Sequence, residues 1–163
     1  MAFDAFLKID GIPGESTDDK HKDWIEILSY SHGLSQPVHV AQSAHGAHTT
    51  GRVDINDFSI VKSLDKASPK LALACCTGEH IPTVVFELCR AGGDKQPYME
   101  YKMTDVIVGS VRPGGSSHGD GLPLEEVAFR FGKINWTYTP IDKAGKPQGK
   151  VPAGWDLEGN KKF

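Results

Sequence analysis

The sequence has no long hydrophobic run. No window approaches the ~18 consecutive apolar residues of a membrane-spanning helix, so no membrane insertion is expected. Cysteine is scarce, with Cys75, Cys76 and Cys89 the only three. An odd count with two adjacent thiols excludes a disulfide framework. C-x-x-C is absent, which removes the usual thiolate zinc or redox motif. The chain reads as one that folds in a reducing compartment, its thiols acting as small apolar residues. Neither sign of charge is in large excess: 18 basic against 21 acidic residues leave a formal charge of −3. That balance supplies no bulk attraction to nucleic acid or to an anionic membrane, and neither is expected as a partner. Lys143, Lys146, Lys150, Lys161 and Lys162 sit among Gly and Pro and read as a solvated tail. The N-terminus, MAFDAFLKID, has an acidic Asp4 and no basic stretch before an apolar one, so it is no secretory signal. If the protein leaves the cell, another route takes it. Neither a repeat nor a composition shift divides the 163 residues, which read as one domain over 1–163.

What is present is mostly strand. Phe3, Ala5, Leu7 and Ile9 alternate with polar neighbours, as on a half-buried strand. DWIEILSYS (23–31) reads as a second strand, with Ile25, Ile27, Ser29 and Ser31 on one face and Trp24, Glu26, Leu28 and Tyr30 on the other. Residues 32–51 are rich in Gly, Ser and His, without a clear period, and read as a long loop, a feature that tends to be functional. In RVDINDFSIVKSL (52–64) the apolar parity shifts around Asn56–Asp57, where a bulge is expected. TVVFELCR (83–90), YMEYKMTDVIVGSV (98–111) and LEEVAFRFGKINWTYT (124–139) follow as strands. In the last, Val127, Phe129 and Phe131 share one parity and Ile134, Trp136 and Tyr138 the other. The switch predicts a bulge or bend at Gly132. Long bent strands joined by Gly/Pro turns suggest a closed or nearly closed barrel.

One helix is expected, over ASPKLALACCTG (67–78). Ser68 is placed to cap it, Pro69 suits its first turn, and Gly78 suits a left-handed stop. Leu71, Leu73 and Cys76 belong to a segment apolar on every side. One sheet covers only one side of such a helix, which suggests a second cover such as a neighbouring subunit.

The candidate chemical motifs fail on spacing. His39, His45 and His48 form H-x5-H-x2-H, with no nearby Glu or Cys, and match no zinc pattern. GGSSHGDG (114–121) gathers Ser116, Ser117, His118 and Asp120, but a catalytic triad converges from separate segments, and no nucleophile elbow is present. A Gly-rich connection between two long strands is favoured. Glu125 and Glu126 point to opposite faces of a strand. The residues therefore read as a scaffold or assembly module, with no catalytic residue, metal or cofactor expected. The rival is a metal-dependent barrel enzyme using His39, His45 and His48.

The run DFSIVKSLDKASPKLALACCTGEHIPTVVFELCRAGG (57–93) resembles the signature segment of the Hcp family, the haemolysin-coregulated tube proteins of type VI secretion. FLKIDGIPGES, IEILSYSHGLSQ (25–36), YKMTDVIVGSV (101–111), GDGLPLEEVAFRFGKINWTY (119–138) and GWD (154–156) extend the resemblance along the chain. It implies a mainly β fold, a β-barrel of two sheets with one short α-helix at its side. It implies homohexameric rings stacked into a tube, driven by a contractile sheath behind a VgrG spike, with small effector proteins carried and stabilised in the lumen. The protein would be cytoplasmic before firing and then secreted without a signal peptide. The family's long loop, here roughly 37–51, reaches towards a neighbouring subunit or ring. That assigns His39, His45, His48, Thr49 and Thr50 to inter-subunit or inter-ring contact, and Leu71, Leu73 and Cys76 to the inter-subunit helix. Ser29 and Ser31, small hydroxyls suited to a wet lumen, are the candidates for cargo. The chain ends at Phe163 without room for the C-terminal toxin domain of some family members, so toxicity is expected to belong to cargo.

Overall fold

The computed structural model describes residues 2–40, 48–93, 95–119 and 121–163. In chain order the strands before the helix are β1 (Phe3–Ile9), β2 (Ile25–Ile27), β3 (Ser29–Ser31), β4 (Leu34–Ser35), β5 (Val38–Val40), β6 (His48–Thr50), β7 (Asp54–Ile55) and β8 (Phe58–Ser63). The helix α1 (Ser68–Thr77) follows, then β9 (Ile81–Arg90), β10 (Pro97–Gly114), β11 (Leu124–Tyr138), β12 (Val151–Asp156) and β13 (Lys161–Lys162). Among the described residues the fold is mainly β, a barrel of two sheets with a single short helix, as the sequence leads one to expect.

Two long strands build both walls. In one wall, β2, β1, β9, the first part of β10 and the second part of β11 lie side by side, extended by β12 and β13. In the other, β3 and β8 join the first part of β11 and the remainder of β10. The barrel closes where β2, paired with β1, passes through Leu28 into β3, paired with β8. Segment 23–31 is therefore not one strand, as read from its pattern, but two strands hinged at Leu28, whose N–H donates to the Val61 carbonyl. The hinge reverses the faces. Ile25 and Ile27 are buried, Leu28 is exposed, and Tyr30 then packs against the core while Ser29 and Ser31 face outward from it.

The parity switch in β11 has a similar cause. Thr104 pairs with Lys133 and Val106 with Phe131, which sets Asp105 across from Gly132. Asp105 adopts φ 55°, a left-handed conformation uncommon outside glycine. Inward residues change parity on both strands there, from Met103 to Val106 on β10 and from Phe129 to Ile134 on β11. Gly132 is the bend anticipated, whereas the extra residue lies on β10, where Gly109 is skipped between the pairs Val108–Phe129 and Ser110–Ala128. Around Asn56–Asp57 the ladder stops between β7 and β8, a break and not a bulge.

The core fills the space between the walls with Leu7, Ile25, Phe58, Ile60, Phe86, Met103, Phe129 and Ile134, all fully buried. Each contributes roughly 1.5–3 kcal/mol by leaving water. α1 packs against β10, burying Leu71 and Ala74. Gly78 ends it at φ 67°, and its N–H returns to the Ala74 carbonyl. Ser68 does not cap it. Ala67 occupies the N-cap without a side-chain bond, because the Ser68 hydroxyl is engaged in a buried polar cluster.

Candidate functional site

The described residues of 32–51, expected to be an irregular loop, form a two-stranded arm together with Asp54–Ile55. β4 pairs with β7 and β5 with β6, each as a separate two-stranded ladder. The Asn56 N–H bonds to the Gly33 carbonyl at the arm's root, and Gln36 donates to the Gly51 carbonyl further out. Among the described residues the arm's strands pair only with each other. Leu34, Val38 and Thr50 are exposed along it. His39 is paired with Thr49, and His48 with Val40, so His39 and His48 occupy neighbouring and not matching register positions. His45 lies outside the described residues.

The helix offers a second surface. Leu71, expected in the inter-subunit contact, is instead fully buried in the chain's own core and presents nothing to a neighbour, whereas Leu73 is 63% exposed and Cys76 is also exposed. The fold covers one side of α1 and leaves an apolar side uncovered. Ser29 and Ser31 are exposed on β3, next to the root of the arm. Ser116 accepts a hydrogen bond from the His118 N–H in an exposed turn between β10 and β11, a local loop contact. Asp120 lies outside the described residues.

Three buried polar groups escaped the sequence analysis. Lys62 is fully buried, and its Nζ lies 2.6 Å from Glu125 Oε2, 2.8 Å from Asp65 Oδ1 and 3.1 Å from Ser68 Oγ. The Ser68 hydroxyl donates to the same Glu125 oxygen. Every ammonium proton therefore has an acceptor, the condition for burying a charge. The alternation of Phe58, Ile60 and Lys62 was the available signal.

The second is His32, among the rings of Phe58, Tyr101, Phe131 and Trp136. Both its ring nitrogens are buried without hydrogen-bond geometry to any described partner. Burial lowers its pKa below the ordinary 6.5, offset in part by the nearby Asn56 backbone.

The third lies outside the barrel, under the segment 13–24. His21 is buried and stacks on Phe6 with ring centroids 4.2 Å apart, while Trp24 meets it edge-on. Its Nδ1 is 2.7 Å from Asp18 Oδ2 and its Nε2 is 2.7 Å from Glu87 Oε2. Cys89 Sγ approaches Nε2 at 3.8 Å. The hydrogen bond from His21, aided by Lys95, holds the Asp18 carboxyl below its usual range. Burial, with the charges of Glu87 and Asp18 behind it, pushes the Cys89 thiol up to about 12. Glu87 and Cys89 are two apart on β9 and so share its outer face. E-x-C was a readable signal, but its histidine comes from 66 residues away.

These features define the class: a small β-barrel with a projecting two-stranded arm and a side helix whose apolar face is open to solvent. The sequence model of the family described as "Type VI secretion system effector, Hcp" matches residues 6–138. "Protein hcp1" of Pseudomonas aeruginosa is 36% identical over 162 residues, 98% of each chain. The "Major exported protein" of the same organism is 25% identical over 148 residues, 85% of this chain and 83% of its own. A solved structure described as that of a type six secretion system protein superposes with a TM-score of 0.94 at 39% identity, covering 99% of this chain and 100% of its own. The chain belongs to the Hcp family of type VI secretion system proteins.

Proposed function

We propose that this protein is the repeating unit of a type VI secretion tube: a subunit that closes into homohexameric rings, which stack and are exported. The arm of β4 to β7 carries the reading. It is a long extension whose strands pair only with each other among the described residues, with exposed Leu34 and Val38 along it. In a ring it gains a partner surface on the next copy or the next ring. Thr50, and by their place on β5 and β6 His39, His48 and Thr49, belong to that contact, with His45 in the same segment. The open side of α1, with Leu73 and Cys76, supplies an apolar patch. A ring requires such unlike patches, because a head-to-tail contact that closes joins two different surfaces.

The exposed Ser29 and Ser31 are proposed to face the lumen and meet small effector proteins, giving the subunit a carrier role without catalysis. The VgrG spike and the contractile sheath are the further partners. Export is supported by the relative named for it. The route runs from the cytoplasm to the outside or a target cell without a signal peptide. No described helix is long and apolar enough to cross a membrane. Electron microscopy and native mass spectrometry of untagged protein at micromolar concentration test the reading. Six-membered rings are expected, and monomers alone would overturn it.

A further inference from the structure

We propose that His21, Glu87 and Cys89 form a structural site for a zinc-class divalent cation, which fastens the 13–24 segment to the outer face of the barrel. The three residues present one nitrogen, one oxygen and one sulfur ligand atom, all within 4.8 Å of one another. That mixed set suits zinc, which takes imidazole, carboxylate and thiolate together.

The spacing is close to what an ion needs. Tetrahedral zinc, with Zn–N of about 2.0 Å and Zn–S of about 2.3 Å, separates its N and S ligands by roughly 3.5 Å. Here Nε2 and Sγ are 3.8 Å apart. Nε2 and the Glu87 oxygen, 2.7 Å apart, must open by roughly 0.6 Å to admit the ion. Glu87 can make that movement, because it is the ligand at the surface, 16% exposed against 2% for His21. It is also the side from which an ion enters, and water or the second carboxylate oxygen completes the coordination.

Independent of the ligand set, the second nitrogen of His21 is already committed. Its Nδ1 is hydrogen-bonded to Asp18, which is in turn paired with Lys95. A carboxylate on the far nitrogen is the arrangement that fixes the ring and tautomer of a metal-ligating histidine. The stack on Phe6 and the edge of Trp24 hold the ring plane. Phe6 is the register partner of Glu87, and Asp4 that of Cys89, so β1 flanks the site along its length.

Binding displaces two protons to solvent. One leaves the Cys89 thiol, and the other is the proton shared between Nε2 and Glu87. The proton on Nδ1 stays with Asp18. Occupancy therefore rises with pH, in proportion to the two protons released for each ion bound.

Cobalt(II) and zinc titrations of untagged, metal-stripped protein test the site. One cobalt per chain is expected, with a thiolate-to-cobalt charge-transfer band, release of about two protons, and a rise in Tm with zinc. Cys89→Ser, which keeps the side chain's size, should abolish the band, and Glu87→Gln should weaken binding by about ten-fold or more. Replacing His39, His45 and His48 together with Ala should leave binding intact. The proposal fails if folded wild-type protein gives no stoichiometric cobalt spectrum. It fails equally if Cys89→Ser retains the spectrum, or if the triple loop variant loses it. Ring formation in the same samples is read separately and does not bear on the outcome.

Discussion

Lys62 and Glu125 face each other directly across the β8–β11 ladder, with Nζ 2.6 Å from Oε2 and both side chains buried. The pair sits where the chain turns into α1, and Ser68 and Asp65 complete its hydrogen bonds. Removing one partner strands a charge in the interior. Glu125→Ala is expected to cost about 3–5 kcal/mol, while Lys62→Met combined with Glu125→Leu recovers most of the loss. Denaturant midpoints of the two variants check this, and equal destabilisation of both would contradict it.

The open side of the helix gives an assembly prediction. Leu73 is exposed and supports none of the barrel core, so Leu73→Glu should leave the monomer's unfolding midpoint within about 0.5 kcal/mol of wild type. Sedimentation velocity should show the ring population shifting to monomer, since the substitution places a charge in the proposed contact.

His32 predicts a stability change in mild acid. Its folded-state pKa is lowered, so the unfolded chain takes up the proton more readily. The contribution is fully present above about pH 6.5 and is lost as pH falls from there through the folded value. Asp18 and Asp156 are also lowered, but from 3.8, so their contributions fade only below that pH. Urea midpoints should therefore decline between pH 7 and 5, and His32→Phe should flatten that part of the profile. An unchanged slope in the variant would remove His32 as its source.

Gly14 predicts a local defect. A Cβ at this position would overlap the Trp24 carbonyl and the Ile25 backbone, neither of which is free to yield. Gly14→Ala is expected to cost about 1–3 kcal/mol by overpacking. Hydrogen exchange should accelerate first at Ser16, Asp23 and Trp24, whose amides hold the 13–24 segment together.

The architecture was largely readable because its signals are local. Pro69 and Gly78 bracket the helix, and the β11 parity switch marks a bend visible without its partner strand. The hinge at Leu28 was not readable, since Ile25 and Ile27 alternate correctly with Ser29 and Ser31. Only the change of partner from β1 to β8 reverses the faces. The arm was missed because β4 to β7 are two or three residues long, too short to show a period. The His21 cluster joins residues from the 13–24 segment and β9 that only the packing brings together. His39, His45 and His48, by contrast, are close in sequence, but His39 and His48 do not share a register position.

The sharing of β10 and β11 between the two walls bears on how the molecule carries force. Their ladder runs from Met99–Tyr138 to Gly114–Leu124, interrupted only where Asp105 meets Gly132 and at the skipped Gly109. A load along these strands must shear many hydrogen bonds at once, whereas a load across them would peel the bonds singly. A subunit pushed end-on along that direction is stiff for the same reason that a lap joint is stronger in shear than in peel.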